Sequence, residues 1–440
     1  MERFKSFKEL LGIGFKEDTA LEFFVGQVRK QMTYGELNEA INSYPLPKEK
    51  VVGLLVDNSI DCVLSILSLA SKRQLVLLNG DDDIEVLKSQ IKATHVGALL
   101  GDPDLVEELN DCLEKDYECA DADILFFTSG TTSSSKAVVL TEASLCSAAY
   151  NGGSLLPLER KDSLLAVLPL SHVFGFVCSL LWPLSFGAKV YLGRGLKHIF
   201  FDFAEFKPSI TTLVPQMAGF LAAKSLFNKE LRLILIGAGE CPDSVLNLIK
   251  SLGIRVSFGY GLTETSSGIA LSLGNNPREM SICPDYKVRI AEDNEIIVES
   301  DFTLMKGYYE DEEGTSSVKK GNVLYTGDLG KLENGHLFIT GRKKEIIVFD
   351  DGSKLFIPEY EGKLAALLGA SADFAINKLG DGSLGLFVHG QEGIDDLVEK
   401  FNLQYPRSHR IAKIIHVKTP LPRTKTGKVQ RYLLKESEND

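Results

Sequence analysis

At 440 residues the chain exceeds the ~250–300 residues at which a single hydrophobic core stops growing, so two or more domains are expected. Hydrophobic residues at 44% and charged residues at 25% exclude a disordered or fibrous chain. A formal net charge of −12 argues against nucleic acid as a partner, since such binders carry a basic excess, and makes any phosphate binding local.

The opening residues Met1-Glu2-Arg3-Phe4-Lys5 carry no apolar signal region, and no window approaches ~18 uninterrupted apolar residues, so a cytoplasmic protein without a membrane span is expected. Seven dispersed cysteines without a CxxC pair fit reduced thiols. Short apolar runs over 51–56, 75–78, 96–100, 124–128, 164–168, 233–236 and 255–258 predict strands. Amphipathic stretches over 59–71, 83–91, 141–151 and 242–252 predict helices between them, the last with Pro242 placed for a first turn. The alternation predicts α/β layering. After about Ser281, runs over 290–300 and 324–340 broken by Asn-Glu and Asn-Gly turns predict a small β subdomain. Beyond Lys344, strand signals over 346–348, 374–376, 384–388 and 413–417 and a helix over 358–367 predict a small α+β unit. The expected division is a large N-terminal domain over 1–343 and a small C-terminal domain over 344–440.

The segment Phe126-Phe127-Thr128-Ser129-Gly130-Thr131-Thr132-Ser133-Ser134-Ser135-Lys136 follows a β run and, on pattern, precedes a helical one. Its hydroxyls, backbone N–H groups and terminal cation suit a phosphate chain, although a Ser/Thr-rich stretch taken alone also suits a solvated linker. It does not match GxxxxGK[ST], and neither does Gly427-Lys428-Val429, which disfavours a P-loop kinase or ATPase.

Five segments in order carry a resemblance: Thr128-Ser129-Gly130-Thr131-Thr132 with Lys136, Gly259-Tyr260-Gly261-Leu262-Thr263-Glu264, Tyr325-Thr326-Gly327-Asp328, Gly341-Arg342, and Pro422-Arg423-Thr424-Lys425-Thr426-Gly427-Lys428. Together they resemble the adenylate-forming superfamily of acyl-coenzyme A synthetases, luciferase and peptide-synthetase adenylation domains, over roughly residues 30–432. The resemblance implies an AMP-forming acid–thiol ligase with ATP, Mg²⁺ and coenzyme A as its partners. A carboxylic acid, fatty or aryl, is joined to AMP with loss of pyrophosphate, and the acyl group then passes to a thiol. It implies that residues 128–132 and Lys136 hold the phosphates and that Gly237, Ala238 and Gly239 let adenine lie against backbone. Tyr260 would stack on adenine beside Gly261, Thr263 would bond the α-phosphate, and Glu264 would coordinate the metal, as a hard cation's need for oxygen ligands allows. Asp328 would accept the ribose hydroxyls and Arg342 would contact ribose and phosphate. His172, in Leu168-Pro169-Leu170-Ser171-His172, would stand at the acyl end, and Lys428 would reach the reacting carboxylate during adenylation. The small domain would be a mobile lid pivoting at Lys344, with Asp350-Asp351-Gly352 near the thiol channel.

The phosphate loop departs from the family's pattern, with Ser133, Ser135 and Ala137 where glycine, proline and glycine are usual. The run Lys343-Lys344-Glu345-Ile346-Ile347-Val348 is similar to the fatty-acyl branch, and Phe174, Phe176, Val214, Pro215 and Met217 are candidates for an acyl pocket or for core. Two other readings stay open: an acyl-AMP ligase that loads a carrier protein in trans, and a catalytically silent nucleotide-binding relative that keeps the fold.

Overall fold

The structure, a computed structural model, describes residues 3–119, 121–128, 135–239, 241–274, 276–349, 353–369, 372–423 and 429–435. Its architecture is α/β, with a large N-terminal part built on two sheets and a smaller α+β tail.

The first sheet has the order Gly307–Tyr308, Ala137–Leu140, Ile124–Phe127, Gln74–Asn79, Val51–Val56, Ala98–Leu100. Its last four strands run parallel. Val51–Val56, reading VVGLLV, is buried along its whole length, as a strand covered on both faces must be. The covering helices Ile60–Leu69 and Ile84–Ala93 begin where Ser59 and Asp83 accept backbone N–H groups of Cys62 and Glu85. The expected helix after the Ser/Thr-rich loop is preceded by a strand. Ala137–Leu140 pairs antiparallel with Ile124–Phe127, and the helix Glu142–Leu155 starts only behind the capping box of Thr141 and Ser144. The run Ala-Val-Val-Leu buries itself best by adding to the sheet beside Ile124–Phe127.

In the second sheet six strands run parallel in the order Thr19–Val25, Lys189–Leu192, Ser163–Ala166, Ile210–Leu213, Leu233–Ile236, Arg255–Leu262. Thr19–Val25 also pairs antiparallel with Val28–Thr33 as an edge hairpin. Arg255–Leu262 serves two neighbours. Its first half pairs parallel with Leu233–Ile236, and from Gly259 onward it pairs antiparallel with Ser267–Ser272. The strands of the expected small β subdomain pair onward from this sheet, through Met280–Ile282, His336–Arg342, Val323–Glu333, Glu295–Glu299 and Lys287–Ile290. The helix after Leu233–Ile236 spans Asp243–Ser251 with Pro242 as its cap, one place earlier than a first-turn proline.

The tail carries the sheet Asp373–Lys378, Leu384–His389, Ile411–Val417, the hairpin Ile346–Val348 with Lys354–Phe356, and the helices Ile357–Leu368 and Asp395–Asn402. Its own core includes Leu355, Leu364, Leu386 and Phe401. It meets the large part at Gly341, which has φ +154°, and a Cβ there would fall 2.2 Å from the Phe356 ring, so only glycine allows this approach. Among the described residues no helix is long and apolar enough to cross a membrane.

Candidate active site

Beyond the C-terminal ends of the parallel strands, where open α/β sheets place their ligands, lies a cleft of about 2410 Å³. Both sheets line it, together with Phe356, Pro358 and Arg431 of the tail.

On one wall stand the strand ends that flank the Ser/Thr-rich loop. The Thr128 N–H donates to the Lys136 carbonyl at 3.0 Å, and the Lys136 N–H donates to Thr128 Oγ1 at 3.1 Å. These two bonds close the base of the loop, so Lys136 enters the cleft from a fixed backbone. Its ammonium lies 2.9 Å from Asp311 Oδ2 and 4.2 Å from the centre of the Tyr308 ring. Ser129, Gly130, Thr131 and Thr132 lie outside the described residues, as do Lys428 and the turn Asp350-Asp351-Gly352.

Opposite, Gly259 to Glu264 sits where Arg255–Leu262 changes partner. A Cβ on Gly261 would fall 1.9 Å from the Ser267 carbonyl oxygen, which makes glycine obligatory at this tight pairing. Tyr260 is buried against the core, and its hydroxyl donates to Asp328 Oδ2 at 2.9 Å. Burial first, and then the Asp328 charge, push this phenol well above its ordinary pKa, so it remains a donor. Glu264 belongs to the single turn Thr263–Thr265, and its Oε1 accepts the Tyr308 hydroxyl at 2.8 Å. One oriented carboxylate facing the cleft fits Mg²⁺, which characteristically takes one or two protein carboxylates with substrate phosphates and water.

Asp328 and Arg342 are cross-strand partners, with Arg342 Nε 2.7 Å from Asp328 Oδ1. Next to them Lys343 bridges Asp293 at 2.6 Å and Glu295 at 2.7 Å, and Glu295 Oε1 accepts the Gly327 N–H at 2.9 Å. That network pins the turn before Asp328 to the strand that leads into the tail. Lys344, exposed, follows in the turn Lys343–Glu345 at the cleft.

Gly237, Ala238 and Gly239 follow Leu233–Ile236 along the crest, and Ala238 takes the left-handed conformation at φ +65°. A Cβ on Gly237 would lie 2.9 Å from the tip of the Phe174 ring, so the ring approaches this backbone closely. His172 lines the same end, at the start of Val173–Gly175. Val214 and Met217 line the cleft as well. Phe176 instead is wholly buried in core, against Phe7 and Phe126, and Pro215 opens the helix Pro215–Ala223. Both are therefore structural.

Two residues beside Glu264 and Lys136 escape sequence reasoning, Tyr308, which lines the cleft, and Asp311, which pairs with Lys136. Tyr308 arrives on the two-residue strand Gly307–Tyr308, too short for any periodicity, and burial first, then Glu264, raises its phenol pKa. Asp311 caps the helix Glu312–Val318, for which an acidic first turn was the available signal.

Residues 72–309 match the family model described as AMP-binding enzyme. The chain is 26% identical to a 2-succinylbenzoate–CoA ligase of Listeria monocytogenes, covering 96% of each chain, and 26% identical to a long-chain-fatty-acid–CoA ligase of Mycobacterium tuberculosis, covering 77% of this chain and 72% of that one. Among solved structures, o-succinylbenzoate CoA synthetase from Bacillus subtilis in complex with its acyl-adenylate intermediate has the same fold, with a TM-score of 0.82 over 99% of each chain at 21% identity. Because the family match spans more than half of the chain, the protein belongs to the AMP-binding enzymes of the adenylate-forming superfamily.

Proposed function

We propose that the protein uses ATP to activate an aromatic carboxylic acid as its acyl-adenylate and then transfers the acyl group to the thiol of coenzyme A. The observation that carries this reading is the convergence of Lys136, Tyr260, Glu264, Asp328 and Arg342, from four separate stretches of chain, in one cleft. The aromatic class rests on the kinship with ligases named for 2-succinylbenzoate, one of which matches over 96% of both chains, whereas the fatty-acid ligase matches over 72% of its own length.

A carboxylate oxygen attacks the α-phosphorus of ATP, a P–O bond forms, and the bond to pyrophosphate breaks. A thiol sulfur then attacks the acyl carbon, the C–O bond to AMP breaks, and the thiol proton leaves to solvent. Lys136 supplies fixed positive charge beside the phosphate chain, where charge accumulates as the bond to pyrophosphate lengthens. Glu264 would hold Mg²⁺, which when bound neutralises charge on the leaving pyrophosphate. Asp328 presents acceptor oxygens to the ribose, and Arg342, its present partner, is left to engage phosphate. Thr263 adds a hydroxyl at the same end. His172 and Phe174 bound the acid, and Gly237 to Gly239 leave room for a flat base.

Residues 344–440 act as the lid, pivoting at Lys344 between the two steps, and Lys428 serves the first. The arrangement Gly341 against Phe356 supports a close but small seat for this tail. Pyrophosphate release with ATP, Mg²⁺ and a panel of aromatic and aliphatic acids tests the reading. Release with an aromatic acid, lost in Lys428→Ala while thioester formation from a supplied acyl-adenylate persists, is the expected result. ATP binding without pyrophosphate release from any acid would overturn it.

A further inference from the structure

The segment that follows Phe302 ties both walls of the phosphate end together. The Met305 N–H donates to the Glu264 carbonyl at 2.9 Å, and the Lys306 and Tyr309 N–H groups donate to the Val139 and Ala137 carbonyls at 2.9 and 2.8 Å. Tyr308 pairs with Val138, two residues after Lys136. Its own N–H donates to Thr315 Oγ1 at 2.8 Å, and Lys306 anchors the approach through Asp123 at 2.8 Å. The position of the ring is thus set by backbone on both sides.

From that position one side chain touches two groups of opposite charge. The hydroxyl donates to Glu264 Oε1 at 2.8 Å, and the ring lies 4.2 Å from Lys136 Nζ. We propose that Tyr308 is a positioning residue that fixes the Glu264 carboxylate relative to Lys136, so that the metal and the phosphate chain of ATP are gripped as a unit. The proposal rests on the nucleotide reading of the cleft given above. A donor bound to one carboxylate oxygen orients the other toward a cation, and loss of such an outer partner weakens metal sites by about 10- to 100-fold. The ring keeps the ammonium on the cleft side by its negative face.

Tyr308→Phe removes the donor and keeps the ring, so it separates the two contacts. ATP binding is measured by titration calorimetry on the full chain, with EDTA and with Mg²⁺, for the wild type, Tyr308→Phe, Glu264→Gln and the double variant. The expected result is unchanged metal-free affinity in Tyr308→Phe, with the Mg²⁺-dependent gain reduced by about 10- to 100-fold. In the Glu264→Gln background the same change has little further effect, because the two side chains act as one unit. An undiminished Mg²⁺ gain in Tyr308→Phe, or equal and additive losses in both backgrounds with and without metal, overturns the positioning role. A wild type that binds no ATP in either buffer overturns the nucleotide reading itself, and the proposal with it. Should Tyr308→Phe melt well below the wild type, Thr315→Val, which frees the Tyr308 backbone without touching Glu264, must reproduce the loss of Mg²⁺ gain for the proposal to stand.

Discussion

Arg342 and Asp328 face one another across the strand pair that leads out of the large domain, with Nε 2.7 Å from Oδ1. Asp328 also accepts the Tyr260 hydroxyl, so a single buried carboxylate holds the side chains of two nucleotide-site candidates in place. Before a nucleotide arrives, the site is organised around its own aspartate.

Asp328→Ala is therefore expected to act twice. Hydrogen bonds to a charged group contribute about 1.5–3 kcal/mol, which corresponds to a loss of roughly 10- to 100-fold in ATP affinity by calorimetry. The buried Tyr260 hydroxyl loses its acceptor at a cost of about 1–3 kcal/mol, so the variant also unfolds at lower denaturant concentration. Full ATP affinity in this variant would remove Asp328 from the binding site.

Gly237→Ala addresses the acyl end. The added methyl falls 2.9 Å from Phe174, so the ring must move into the space where the acid is placed. Bulky aromatic acids are expected to lose about 10- to 200-fold more in kcat/KM than small acids, on top of a rise in KM for ATP common to all acids, because Gly237 also borders the space proposed for the base. An equal loss for every acid in a pyrophosphate-release assay would mean that Phe174 does not bound the acid.

His95 makes the stability of the phosphate end depend on pH. Its Nδ1 lies 2.8 Å from Glu114 and its Nε2 3.3 Å from Glu310, and its ring stacks on Tyr117. Burial lowers its pKa, but the bonds and charges of Glu114 and Glu310 outweigh burial and raise it above 6.5. A raised histidine stabilises fully below its unfolded value and loses that contribution as pH rises through the folded one. In urea titrations, the stability gap between wild type and His95→Gln is expected to be larger at pH 6 than at pH 8.5, and a gap independent of pH would contradict the clamp. Because Glu310 follows Tyr309 in the segment that seats Tyr308, the clamp bears on the phosphate end.

Local chemistry made much of this protein legible from residues alone. The run Val51–Val56 is apolar throughout and is a buried strand with the expected bounds, and Ser59, Asp83 and Thr141 announce the helices that they cap. The glycine of Gly259-Tyr260-Gly261 and the aspartate after Thr326-Gly327 are similarly readable, because a tight pairing and a turn each demand particular residues.

What the sequence determined by itself was the alternation of elements, the family and the residues that fill the cleft from motif positions. Only the tertiary structure decided that Ala137–Leu140 is a strand, that the β region extends the second sheet, and that Tyr308 and Asp311 stand beside Glu264 and Lys136. The reason is physical: a periodicity reports which face of a segment is apolar, whereas pairing, register and side-chain contact depend on partners more than a hundred residues away, as Lys136 and Asp311 are.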